Sequence, residues 1–351
     1  MHSLKPNYIN NLTFTGQSIS LLKAIGEYKG KQTLYFTQTP EVLETLKQVS
    51  IIESSESSNR LEGITAPHKR IEGIVLQKTQ PRNRSEEEIA GYRDALNLIH
   101  ESANDIPFSE NVILQIHSMM YRYMPTDGGV YKKIDNRIVD KNPDGTIKRI
   151  RFTPPSASMT PAAMKIMIEY YNLALEEERQ EPLVVIPLTI FDFLSIHPFS
   201  DGNGRVARLL TLLLLYHYDF EVGRFISLER IFEESRETYY ESLEKSSAEW
   251  HEGKHNVMPW LNYFWGVILR AYKEFEERVG SIRTSRGSKT EQIKKAIKGK
   301  IGPFAISDIE HECPGISRDM VRKVLRELRD QKIIISSSKG RNAKWIHQEN
   351  K

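Results

Sequence analysis

The chain has almost no cysteine. Cys313 is the only one among 351 residues, so neither an intrachain disulfide nor a cysteine-ligated zinc cluster is open to it. Long apolar runs are missing too. The longest, Leu209 to Tyr216, falls far short of the roughly 20 residues a membrane span requires and reads as a buried helix. The opening Met1-His-Ser-Leu-Lys-Pro-Asn carries no apolar stretch, so no secretory signal is expected. There is no internal repeat and no long low-complexity tract. These absences point to a soluble protein of a reducing cytoplasm, with no membrane association.

What is present is an ordinary globular composition, 39% hydrophobic and 27% charged, in a chain long enough for two domains. The charge is unevenly spread. From Ser285 to Lys351 there are 16 Lys+Arg against 8 Asp+Glu, a local +8, which leaves −5 for the rest of a chain whose total is +3. A basic tail on an acidic body suggests a polyanionic partner for the tail. A merely solvated basic surface fits equally well on charge alone.

Helical signals dominate. Thr39-Pro40-Glu41 is a helix start, with a hydroxyl cap, proline in the first turn and an acid behind it. Leu43, Leu46 and Val49 follow at helical spacing. The serine-heavy stretch from Ile51 to Gly63 has weak intrinsic helicity, though a short helix closed by Gly63 at the C′ position is consistent with it. Amphipathic helices are expected over 85–102, 109–123, 160–178, 187–196, 205–218, 236–247 and 258–279. One hairpin stands out: Asn136-Arg-Ile-Val-Asp and Thr146-Ile-Lys-Arg-Ile-Arg-Phe flank Asn142-Pro143-Asp144-Gly145, which has type I turn chemistry. The polar segment 281–288 reads as a linker. Beyond it come helices at 291–298, 306–312 and 317–331, a turn at Pro314-Gly315, and short strands at 333–335 and 343–346 around a wing at 336–342. Three helices followed by a hairpin resemble a winged helix-turn-helix.

Chemistry concentrates in His197-Pro-Phe-Ser-Asp201-Gly-Asn-Gly-Arg205-Val-Ala-Arg208. Gly202 and Gly204 let the backbone turn sharply around Asn203 and present its amides outward. A glycine loop feeding a helix N-terminus is an anion site, because unpaired N–H groups and the helix dipole face the ligand. Arg205 and Arg208 are neighbours on one helix face, and two guanidinium forks suit a polyphosphate. Asp201 beside such a site suits magnesium, which takes one or two carboxylates plus phosphate oxygens. His197 is a base of suitable pKa for removing a proton from an incoming hydroxyl. Each feature alone has a bland structural reading; twelve residues carrying all of them do not.

This string resembles, without a departure, the signature of the Fic family, His-x-Phe-x-Asp/Glu-Gly-Asn-Gly-Arg-x-x-Arg. The resemblance implies a mainly α Fic domain over 46–280, with an N-terminal extension at 1–45, a β-hairpin flap that docks a target chain, and the winged helix at 289–351. It implies protein adenylyl transfer, with AMP passing from ATP to a Ser, Thr or Tyr hydroxyl of a protein, the enzyme itself included. His197 would be the base and Asp201 would hold Mg²⁺. Ser200, Gly202, Asn203, Gly204, Arg205 and Arg208 would surround the phosphates, and Phe199 would anchor the loop. Tyr239-Tyr-Glu-Ser-Leu243 resembles the family's nucleotide-side motif and would put Tyr240 and Leu243 near the adenine. Ser247 stands where relatives often carry asparagine. Ser58-Asn-Arg-Leu-Glu62-Gly63 resembles the family's inhibitory pattern. If helical, Ser58 and Glu62 share a face, and the Glu62 carboxylate could take the fork of Arg208 away from the nucleotide.

Two rivals remain open. His251-Glu-Gly-Lys-His255 matches a zinc-protease pattern, but Gly253 and Pro259 break the helix that pattern needs, so it reads as a polar connection. The alternative function is a DNA-binding regulator whose Fic site is vestigial or removes AMP. Arg318, Arg322, Lys323, Arg326 and Arg329 on the third tail helix, with Lys339 and Arg341 on the wing, would supply phosphate contacts. A protein-docking role for the tail and a homodimer are also open.

Overall fold

A computed structural model describes residues 3–38, 40–126, 128–142, 144–176, 180–298, 300, 303–313, 316–336 and 343–347. The protein is mainly α and divides into two compact units, Met1–Glu276 and Glu277–Lys351.

In the first unit the helices run α1 (Pro6–Ile9), α2 (Gly16–Gln38), α3 (Pro40–Leu61), α4 (His68–Val75), α5 (Arg84–Ser102) and α6 (Glu110–Met120). The hairpin β1 (Ile138–Lys141) and β2 (Ile147–Phe152) follows, then α7 (Thr160–Leu175), α8 (Pro182–Ile196), α9 (Asn203–Tyr216), α10 (Leu228–Glu234), α11 (Arg236–Ser247) and the start of α12 (Met258–Lys298), whose residues from Glu277 onward belong to the second unit. The caps at α5 and α6 are Asn83 and Ser109, whose side chains accept from the amides of Glu86 and Val112. In the hairpin turn the Gly145 amide donates to the Asn142 carbonyl at 2.9 Å, with φ +83° at Gly145, a conformation that favours glycine. Pro143 lies outside the described residues.

α8 is buried along nearly its whole length, as a helix that is apolar all round must be. Pro187 sits inside it and has no N–H for the carbonyl of Leu183. The indole N–H of Trp265 fills that vacancy, donating to the Leu183 carbonyl at 2.7 Å, while the Trp260 indole donates to the Pro187 carbonyl at 2.7 Å. The helix expected from residue 187 therefore begins at Pro182, because tertiary donors replace the missing ladder bond. α9 packs against both α8 and α5.

The serine-rich stretch is no short helix but the second half of α3. Ser50, Ser54, Ser55, Ser57 and Ser58 are all buried. Their small side chains permit close packing against α5 and α10. The Ser54 hydroxyl donates to buried Glu229 at 2.7 Å, and the Tyr92 hydroxyl donates to the same carboxylate at 2.9 Å. Tertiary hydrogen bonds override weak propensity here. Beyond Leu61 the chain closes with the amide of Gly63 on the Arg60 carbonyl and that of Ile64 on the Asn59 carbonyl, both 3.0 Å, and Gly63 at φ +80°. This is the two-bond glycine closure of a helix end.

The second unit holds β3 (Phe304–Ala305), α13 (Ile306–Glu312), α14 (Arg318–Asp330), β4 (Ile334–Ser336) and β5 (Lys344–His347). Its sheet has the order β3-β5-β4, both pairs antiparallel. Ile293, Ile297, Phe304, Ile309, Val324 and Leu328 are among the side chains of its core. The linker expected at 281–288 is helical, within α12. Its two arginines, Arg283 and Arg286, are good helix formers, and its one glycine, Gly287, costs only about 1 kcal/mol. Pro314-Gly315 and residues 337–342, with Lys339 and Arg341, lie outside the described residues.

Candidate active site

The loop from His197 to Gly202 joins α8 to α9, and its shape is set by side chains that never face a ligand. His197 ends α8 in the left-handed region, φ +50°, an uncommon conformation for a non-glycine residue. The Phe199 ring is buried and stacked on His117, with centroids 3.8 Å apart and planes at 5°. Asn203 grips the loop at both ends of one residue. Its amide oxygen accepts from the Phe199 N–H and its NH₂ donates to the Phe199 carbonyl, each at 2.8 Å. The Asn203 side chain is thus an internal brace of the loop.

Further braces on the loop are not legible in the sequence. The Gly129 amide donates to His117 Nδ1 at 2.7 Å, so Nε2 carries the proton and donates to the Asp201 carbonyl at 3.1 Å. Lys132 donates to the Ile196 carbonyl at 3.1 Å and to Asn136 at 2.8 Å, and Asn136 donates to the carbonyls of His197 and Phe199. These residues precede the hairpin, sixty and more positions from the loop, and no local pattern marks them.

The two arginines of the motif part company. Arg205 is fully buried, and its guanidinium donates to Glu88 at 2.6 Å and to the Tyr121 hydroxyl at 3.2 Å. It stands 3.6 Å from Asp201. Its fork is engaged in the core, so in this structure Arg208 is the member of the pair that reaches the cavity. Arg208 is different. It donates to the Ser58 hydroxyl at 2.8 Å, the Ser58 carbonyl at 2.9 Å and the Glu62 carboxylate at 2.8 Å. Burial works against its charge, and the Glu62 carboxylate together with Tyr239 and Tyr92 more than offsets this, so its pKa is raised.

The glutamate reaches further. A Cβ built on Gly204 would lie 2.2 Å from a Glu62 carboxylate oxygen. Gly204 stands in the first turn of α9, where amides have no intrahelical partner and the dipole favours an anion. α9 opens from Gly202 at φ +79°, with no side-chain cap over that turn.

One cavity of about 220 Å³ gathers the site. Its lining includes Glu62, His197, Gly204, Arg208, Tyr240, Leu243 and Ser247. Phe152 and Arg151 of β2 contribute from the flap and Phe191 and Leu194 from α8. The Tyr240 ring lies under two cations, with Arg151 at 5.6 Å and Arg236 at 5.8 Å from its centroid. Ser200 and Asp201 are exposed on the loop.

The His197 imidazole has a defined tautomer. Its Nδ1 lies 3.3 Å from the Leu194 carbonyl, which can only accept, so Nδ1 holds the proton and Nε2 keeps its lone pair. Burial lowers its pKa to about 4, with the Lys132 ammonium adding to the effect.

The histidines of the zinc-like pattern are engaged separately. His251 contacts the Thr153 carbonyl at 2.9 Å, whereas His255 contacts the Ser3 hydroxyl at 2.9 Å and stacks on Tyr8. They lie in turns and loop, not in a helix. No helix among the described residues is long and apolar enough to cross a membrane.

A helical body that presents a histidine, an acidic residue and a glycine-flanked helix N-terminus to one cavity defines an anion-handling site at the head of α9. Residues 107–215 match the model of the Fic/DOC family. A Fido domain-containing protein of Dictyostelium discoideum is 31% identical over 107 residues, covering 30% of this chain and 68% of that protein. The protein adenylyltransferase Fic of Nematostella vectensis is 26% identical over 200 residues, 54% of this chain and 42% of that protein. The chain therefore spans less than half the length of the latter relative. Among solved structures, a Fic family protein from Desulfovibrio desulfuricans has the same fold, with a TM-score of 0.65 at 19% identity, covering 97% of this chain and 98% of that one. The chain belongs to the Fic/DOC family.

Proposed function

We propose that the protein is an adenylyltransferase that moves AMP from ATP to a Ser, Thr or Tyr hydroxyl of a protein and is held off by its own Glu62. The observation that carries this reading is the shared cavity, in which His197, Gly204, Arg208, Tyr240 and Leu243 meet and the anion end is taken by Glu62.

In the reaction the target hydroxyl oxygen bonds to the α-phosphorus while the bond from that phosphorus to the β-phosphate bridging oxygen breaks. Pyrophosphate leaves, and the hydroxyl proton passes to His197 Nε2. The amides of the first turn of α9 and the Arg208 fork stabilise the phosphate charge. Tyr240 and Leu243 offer the adenine a ring face and an apolar wall.

Asp201 fits a magnesium ion. Its side chain is 64% exposed, and it accepts only the Gly202 amide and the Tyr121 hydroxyl, which leaves lone pairs toward solvent. When bound, the ion would neutralise phosphate charge. Glu62 opposes all of this. It pairs with Arg208 and sets a negative charge where a phosphate must sit.

The test is labelled ATP with magnesium, reading label on the protein itself and on lysate proteins. Glu62→Gly should label well above wild type, and Glu62→Gly with His197→Ala should return to background while still binding ATP. Unchanged labelling in Glu62→Gly, or full labelling without His197, would sink the proposal. Should Glu62→Gly instead abolish removal of AMP from a modified protein, Glu62 orients water for the opposite reaction.

A further inference from the structure

The second unit carries a charge pattern that its own folding does not use. Val321, Val324, Leu325 and Leu328 of α14 are buried in the unit's core. Apart from the partly buried Met320, the rest of the helix is exposed, and its charges are sorted. At about 100° per residue, Arg318, Arg322, Arg326 and Arg329 fall within an arc of roughly 80°, spaced i, i+4, i+8, i+11. Asp319, Glu327 and Asp330 fall on the adjoining arc with Lys323. All four members of the basic stripe are arginine.

We infer that α14 is the DNA-reading helix of a winged-helix module, and that this arginine stripe is the face it lays into the major groove of duplex DNA. The stripe extends over roughly 16 Å of helix, and the major groove admits one α-helix. Arginine rather than lysine suits both contacts available there, the bidentate fork to guanine and the phosphate oxygens. Present partners of the stripe are exchangeable. Arg318 meets Glu310 at 3.1 Å, Arg322 meets Asp319 at 3.3 Å and Arg329 meets Asp330 at 2.8 Å. All are solvent-exposed pairs, which contribute little, and the Asp319 side chain is 91% exposed. A phosphate or guanine edge replaces them at small cost. The fold of the unit agrees, since α13 and α14 form a helix pair backed by the β3-β5-β4 sheet, with the apolar face of α14 turned inward. An A-form RNA duplex is a poor substitute, because its major groove is too narrow and deep for a helix.

The experiment uses the full chain and a fluorescein-labelled DNA duplex a little over two helical turns long, read by anisotropy at about 50 and 200 mM salt. Four neutralised phosphates at about 0.9 each predict an affinity loss on the order of 10²-fold between those salts. R322A/R326A should lower the magnitude of the salt slope by about 2 and weaken binding, with an unchanged unfolding midpoint because both side chains are exposed. An RNA duplex of the same sequence should bind at least about tenfold more weakly. The proposal is overturned by any of three results: no anisotropy change at low salt with tens of micromolar protein, an unchanged slope in R322A/R326A, or equal affinity for the RNA duplex. The first of these would redirect the stripe to an acidic protein surface.

Discussion

The Glu62 carboxylate meets the Arg208 guanidinium at 2.8 Å, and the same oxygen would lie 2.2 Å from a Cβ on Gly204. The glutamate therefore does more than pair with an arginine; it fills the space that the glycine keeps open at the head of α9. Glycine there serves close approach rather than an unusual backbone angle.

A coupling between positions 62 and 204 follows. In the wild type, Gly204→Ala should lower the unfolding midpoint, because the methyl displaces Glu62 from a partly buried ion pair. In a Glu62→Gly background the same change should cost little stability. ATP should bind weakly to both alanine variants, since the methyl stands where a phosphate would approach. Melting curves and calorimetric ATP titrations over the four proteins measure the coupling, expected at about 0.5–3 kcal/mol. Additive melting shifts would show that Glu62 does not occupy this space in solution.

Arg205 and Arg208 should fail differently. Arg205→Ala leaves the buried Glu88 carboxylate with only the exposed Arg84 as a cationic partner, a loss of up to about 3–5 kcal/mol. Pairing Arg205→Met with Glu88→Leu should recover much of that stability, as apolar replacement of a buried ion pair often does. Arg208→Ala should instead reduce nucleotide affinity and also release Glu62. Chemical denaturation gives the first result and ATP titration the second. If Arg205→Met with Glu88→Leu folds well yet cannot bind ATP, Arg205 has a nucleotide role beyond bracing.

Much of this arrangement is legible in the sequence, and the parts that are not share a cause. The spacing of Ser58 to Glu62, and of His197 to Arg208, is local and survives into the structure, as does the hairpin around Asn142 and Gly145. What cannot be read locally is which partner captures a residue. Arg205 and Arg208 look equivalent at three positions apart, yet Glu88 of α5 takes one and Glu62 the other. The serines of α3 look unhelical until Glu229 and Tyr92 are in place. The braces His117, Lys132 and Asn136 act on loop carbonyls far away in the chain, so their pattern exists only after folding.

The imidazoles give a pH prediction with a definite sign. Burial lowers the pKa of both His117 and His197 to about 4, whereas an unfolded histidine titrates near about 6.5. Between those values the unfolded chain binds more protons than the folded one, so stability is complete above about 6.5 and declines as pH falls toward 4. Proton NMR of the imidazole Cε1–H signals, assigned with His197→Ala, should give a midpoint well below 6 for His197. A midpoint near 6.5 would mean that the ring is hydrated rather than buried.

The flap should tune nucleotide binding without supporting the fold. Arg149 of β2 grips Glu244 of α11 with two contacts, at 2.6 and 2.9 Å, and also meets Asp140 of β1 at 2.6 Å. Arg151 pairs with the other Asp140 oxygen and lies over the Tyr240 ring. These links draw the hairpin across the cavity that Tyr240 and Glu244 line. The Arg149 pairs are solvent-exposed, and such pairs add little to stability. Their use is to hold β2 at the mouth of the cavity. Glu244→Ala in the Glu62→Gly background should leave the unfolding midpoint in place and raise KM for ATP several-fold, with a smaller effect on kcat. Arg149→Ala should do the same, and the two together should be no worse than either, because both remove one contact. Strictly additive effects on KM would mean that Glu244 and Arg149 act separately, Glu244 at the nucleotide and Arg149 only within the hairpin.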